Sequence, residues 1–143
     1  MAGWVDAEEG RMLDHWTGKT AYTPPTWYLG VSLTQPTDAG GNVTEPTNGG
    51  YQRKVLAAAS WTPATTGNPS STSYGAVLTL PQATGGWGTV GWQVFYSVAT
   101  PGTGGVLEWA TMAAQKAIQT NDQLQFAANS IKVYLGDPTD TYA

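Results

Sequence analysis

The chain has 143 residues and a net charge of −4, with its six basic residues scattered as Arg11, Lys19, Arg53, Lys54, Lys116 and Lys132. It lacks the basic stripe that neutralises a run of phosphates, which argues against a nucleic-acid partner. With no cysteine and one histidine it has no disulfide, no thiolate nucleophile and no zinc constellation, and no apolar run approaches the roughly 20 residues that span a bilayer.

Seven Trp and seven Tyr stand against only two Phe. Both side chains bury a large area and keep a polar tip, so they serve as core filler in a small β-fold and equally as contact residues at an interface.

Asp6-Ala7-Glu8-Glu9 has the spacing of a capping box, with Asp6 at the N-cap and acids in the first turn. Met12, Leu13 and Trp16 follow on one helical face, and Gly18 suits the C′ position. The pattern predicts a short amphipathic helix over about residues 7–16, inside an N-terminal arm of residues 1–25. The acids and the lack of an apolar stretch give this arm no character of a secretory leader. A helix this short does not stand alone in water, so it packs on the body or on a neighbour. Met12, Leu13 and Trp16, with Trp4 ahead of them, are the expected contact residues.

After Thr23-Pro24-Pro25 the pattern turns to short strands, expected at 27–33, 51–60, 76–80, 90–98, 106–112, 116–118, 124–127 and 131–135. Alternation is clear in the last, where Ile131, Val133 and Leu135 face one way and Lys132 and Tyr134 the other. Gly-rich breaks separate the segments. The expected fold class is mainly β: a single antiparallel β-sandwich, jelly-roll-like with about eight strands, carrying one N-terminal helix. Residues 1–143 read as one domain whose body spans 26–135. The stretch 63–73 has turn composition without periodicity and reads as a flexible surface loop. Residues 136–143 read as a polar tail whose Tyr142 is a further candidate contact.

Catalytic chemistry is sparse. His15 lies in the expected helix, and no Gly-x-Ser-x-Gly elbow accompanies it. Gly86-Trp87-Gly88-Thr89-Val90-Gly91 has the letters of a dinucleotide motif but leads into a strand, where glycines serve a turn. Glycoside hydrolysis needs two acids, one in an apolar cleft; Glu108, next to Trp109, is the only acid in a strand beside a Trp, and no second acid pairs with it in the sequence. Asp38, Asn42 and Glu45 would supply oxygens to Ca²⁺, although their spacing is not that of an EF-hand and a turn-rich loop explains them as well. No cofactor and no enzymatic activity are expected.

Three blocks carry a family resemblance. The first holds Thr20-Ala21-Tyr22-Thr23-Pro24, Trp27-Tyr28-Leu29-Gly30-Val31, Pro36–Gly41, Glu45-Pro46 and Gly49–Arg53. The second holds Gly86–Val90 and Gly104-Gly105-Val106-Leu107-Glu108-Trp109. The third holds Asn121–Ala128 and Ile131-Lys132-Val133. Over about residues 10–135 the chain resembles small virion proteins of tailed double-stranded DNA phages, labelled tail fibre-like or minor capsid and head decoration proteins. The resemblance implies a non-enzymatic structural protein in the virion. Absence of heptads and repeats speaks against a fibrous shaft and favours a capsid decoration protein, docked in many copies on the major capsid protein or other virion proteins and assembled as a homotrimer. A tail-fibre or tail-tip module that binds a host receptor or glycan is the alternative.

Overall fold

The chain's β-rich pattern resolves, in a computed structural model describing residues 3–67 and 69–135, into nine strands and one helix. In chain order these are β1 (Gly3–Trp4), α1 (Asp6–Trp16), β2 (Trp27–Ser32), β3 (Lys54–Leu56), β4 (Ser70–Ser73), β5 (Leu78–Thr79), β6 (Gly88–Tyr96), β7 (Val106–Ile118), β8 (Gln125–Phe126) and β9 (Lys132–Leu135). Five of them form one antiparallel sheet in the order β1-β7-β6-β2-β3. β4 pairs with β9 and β5 with β8, again antiparallel. The result is the expected mainly-β antiparallel sandwich with one helix, its second layer built of two short ladders.

Alternation assigns the two faces of the large sheet, because residues directly opposite in antiparallel strands share a face. Leu29 sits opposite Phe95, and Val31 opposite Gln93. This inner face packs on the short ladders: Leu29, Phe95 and Leu107 meet Tyr74, Leu78 and Ile131, while Val31 and Val90 join a cluster with Leu80, Trp87, Ile118 and Leu124. The other face presents Val94, Tyr96 and Trp109, and Val5 and Val43 pack over it. Each fully buried aliphatic or aromatic side chain contributes roughly 1.5–3 kcal/mol, so the central strands β2 and β6, buried on both faces, dominate the stability.

Several boundaries depart from the sequence expectation. Residues 51–60 yield only β3, followed by a single 3₁₀ turn at Ala58–Ser60, in keeping with the weak strand preference of three successive alanines. The stretch 63–73, expected as a flexible loop, contributes β4. Its Ser and Thr side chains make a local net in which the Thr72 hydroxyl donates to Thr62 O at 2.6 Å and the Thr62 hydroxyl to Ser73 O at 3.1 Å. Pairing with β9, which no local periodicity signals, holds it extended. The two strands expected at 106–112 and 116–118 are one strand, β7. Val90 lies opposite Lys116 and Trp92 opposite Thr111, so two steps along β6 match five along β7 and the intervening residues bulge from the ladder.

The helix starts one residue earlier than its capping signal suggests. Val5 occupies the N-cap without a side-chain cap bond, and Asp6 is the first helical residue. Val5 is drawn into the core, its N–H bonded to Leu107 O at 3.0 Å, while the Asp6 N–H donates to Asp38 O at 2.9 Å. Tertiary bonds therefore do the work assigned to the capping box. At the other end Gly18 follows the C-cap Thr17 with φ +76°, as its position predicts.

Candidate binding groove and docking face

The long loop between β2 and β3 is held by one ion pair. Arg53 donates from Nε to Glu45 Oε1 at 2.9 Å and from Nη2 to Oε2 at 2.7 Å. Glu45 also accepts from the Tyr51 hydroxyl and from the Gly102 N–H, both at 2.8 Å. Arg53 reaches on to Val98 O and Gly104 O and lies over the Tyr96 ring at 3.4 Å. Burial opposes ionisation of Glu45, but the bonds from Arg53, Gly102 and Tyr51 outweigh it and hold the carboxyl below its ordinary range. The Tyr51 hydroxyl, its own pKa raised by burial and by the charge of Glu45, accepts in turn from Val31 N–H at 3.0 Å. It thus satisfies a strand donor beyond the end of the β2–β3 pairing.

This geometry gives Asp38, Asn42 and Glu45 no common site for a cation among the described residues. Both Glu45 oxygens are taken by donors, and the guanidinium beside them would repel a metal ion. Asn42 instead donates to Gln35 O at 2.8 Å, a turn bond. Among the described residues no three His, Asp or Glu side chains gather as a metal site would.

The arm presents a different surface. Only Glu8 is buried on α1, where it pairs with Arg11 and accepts from the Tyr22 hydroxyl at 2.9 Å. Burial, then the bond to Glu8, pushes the Tyr22 pKa up to about 12. The His15 Nδ1 accepts from Tyr22 N–H at 3.2 Å, so the only histidine closes the turn after the helix. Leu13 and Trp16 remain 58% and 61% exposed, with Met12 half-buried beside them. Trp4 belongs elsewhere: it lies in β1, edge-on to Trp27 at 5.5 Å, and donates from Nε1 to Tyr134 O at 3.0 Å. Tyr142 lies outside the described residues.

The third feature lies where the two layers part beside β7. On the inner face of the sheet Leu29, Phe95, Glu108 and Trp4 stand side by side across four strands. The second layer covers Leu29 and Phe95. Beyond them a groove of about 1190 Å³, lined in part by Glu108, opens between β7 and the β8–β9 segment. Gln93, Glu108 and Ala110 line its floor, and Phe126, Lys132 and Tyr134 its far wall. Glu108 is 4% exposed, and its Oε2 has no hydrogen-bond partner among the described residues. Burial raises its pKa well above the ordinary carboxylate range and so favours the protonated form, which both donates and accepts. Glu108 was legible in the sequence as an acid at a strand position beside Trp109. Gln93 and Phe126 were not, since nothing local brings β6 and β8 to one groove.

No curated protein matches the chain. Residues 3–134 match the family model described as Podophage GP4 fiber I protein gp80, a span that includes the Glu45–Arg53 loop, α1 and the groove. The chain belongs to this Podophage GP4 fiber I protein family.

Proposed function

We propose that the protein is a non-enzymatic fibre component of a phage virion. Its helical arm would dock on another virion protein while its β-body faces outward. Family membership across nearly the whole described chain carries this reading. Leu13 and Trp16 supply the docking face, because two large apolar side chains on a helix that is tied down at Val5 and Tyr22 stay more than half exposed among the described residues. Among the described residues Glu108 is the only acid buried in the groove. Asp6, Glu9 and Asp38 lie on its exposed rim, apart from the buried floor that holds Glu108. That separation gives no support to a two-carboxylate hydrolase.

Capsid decoration is the second reading, favoured by the compact sandwich with neither heptads nor repeats. On it the chain docks on the major capsid protein, as a homotrimer at three-fold positions. Cryo-EM of intact virions separates the two. Density for this fold on fibres supports the first reading; density repeated over the head overturns it in favour of decoration.

A further inference from the structure

A carboxyl placed in an apolar row is costly unless it is bonded, and a Leu or Met at position 108 would complete the row Leu29, Phe95 and Trp4 without that cost. Glu108 stands where the row meets the groove, lining it although only 4% exposed. Its unpartnered oxygen lies beside a second polar group on the floor, the Gln93 amide, which is only 9% exposed. Around them the aromatic rings of Trp4, Phe126 and Tyr134 line the groove, each partly exposed. The rim carries Asp6, Glu9 and Asp38 against the single cation Lys132.

We propose that this groove binds a neutral saccharide, with Glu108 and Gln93 bonding the hydroxyls and the aromatic walls packing on the apolar ring faces. A sugar ring offers C–H faces and a hydroxyl edge together, which is the combination that aromatic walls over a polar floor select. The volume exceeds the usual ~300–1,000 Å³ of a small-molecule site, so it takes more than one ring. The acidic rim disfavours uronic, sialylated or phosphorylated polymers by like-charge repulsion. An extended peptide is the competing occupant, since the outer edge of β7 beyond Ala110 pairs with no described strand. A peptide added there would extend the sheet in its own plane. Glu108, which projects from the sheet's inner face, would remain unsatisfied. The assignment rests on the reading of the protein as a fibre module that meets the host surface.

The test is an NMR titration of the isotope-labelled full chain with uncharged methyl glycosides of glucose, galactose, mannose and rhamnose, and with maltotriose and cellotriose. Sialyllactose and an alternating Thr-Val peptide serve as the anionic and strand probes. The expected result is saturable shifts at the Trp4 indole, Gln93, Phe126 and Lys132 with at least one neutral probe at millimolar concentration, and none with sialyllactose. Glu108→Gln, which keeps a neutral donor and acceptor, retains the affinity. Glu108→Leu and Gln93→Leu each weaken it about tenfold, the loss expected for one hydrogen bond left unmade. The proposal is overturned if no neutral probe saturates, if only the peptide shifts these residues, or if both leucine variants fold and bind as the parent does. Absence of binding by a protein that cryo-EM places on fibres removes the site and leaves the fibre reading standing. Binding by a protein found only on the head removes the fibre reading and leaves the site.

Discussion

Arg53 and Glu45 face each other with two parallel hydrogen bonds in a place where the Arg53 side chain is wholly buried and that of Glu45 is 6% exposed. Such a pair is not strong evidence of net stabilisation, because desolvating both charges offsets much of their attraction. Its effect is positional. The pair joins the β2–β3 loop to the 97–105 loop through Val98 O, Gly102 N–H and Gly104 O. Removing one partner exposes the asymmetry: Arg53→Ala leaves a buried carboxylate and is expected to cost about 3–5 kcal/mol in urea unfolding. The double change Glu45→Leu with Arg53→Met costs less than Arg53→Ala alone. A double variant that proves the less stable would mean that the pair contributes directly.

Gly30 is required by the same cluster. A Cβ there would collide with the Tyr51 hydroxyl and stand 2.9 Å from the Tyr96 ring and 3.2 Å from Glu45 Oε1. Gly30→Ala is therefore expected to lower stability by about 1–3 kcal/mol, the usual cost of overpacking. Parent-like stability in thermal unfolding would show that the cluster yields without loss.

The two perturbed glutamates give opposite pH dependences. Glu45 has a lowered folded pKa, so its contribution is present above the unfolded value of about 4.3 and is lost as pH falls through the folded pKa. Glu108 has a raised folded pKa, so stability is intact below about pH 4.3 and declines as pH climbs toward that folded value. Glu108→Gln should therefore be more stable than the parent at neutral pH and equal to it below about pH 4. Equal stability of the two proteins across the whole pH range would contradict the burial assigned to this carboxyl.

Leu13 and Trp16 separate folding from assembly. Both are more than half exposed, so Leu13→Asp combined with Trp16→Ser should change the unfolding free energy by less than about 0.5 kcal/mol per site. The same variant should fail to enter particles when supplied in place of the parent. Normal incorporation, measured by mass spectrometry of purified virions, would remove this face as the anchor.

Trp4 latches β1 to β9 across the end of the groove. Trp4→Phe keeps an aromatic ring against Trp27 but deletes the bond to Tyr134 O, with an expected loss of about 1 kcal/mol. Faster amide exchange at Tyr134 and its neighbours should accompany the loss, and unchanged exchange there would show that the latch does not restrain β9.

Local chemistry in the chain was enough to determine the mainly-β class, the helix with its glycine terminator, the presence of β2 and β6, and the alternation of β9. Period and turn residues act over a few neighbours, and these elements follow from them. The same locality explains where the reading failed. β4 has no apolar stripe and is held extended by β9 some sixty residues away; β7 looked like two strands because its bulge is measured only against β6. Glu45 read as a possible cation ligand until Arg53 and Gly102 came to meet it, and no spacing rule joins those three. Trp4 read as a candidate contact residue of the N-terminal arm, and the pairing of Gly3 with Trp109 places it at the edge of the sheet. The groove belongs wholly to the tertiary level. Its floor comes from β6 and β7 and its wall from β8 and β9, and the burial that raises the pKa of Glu108 exists only once those strands enclose it.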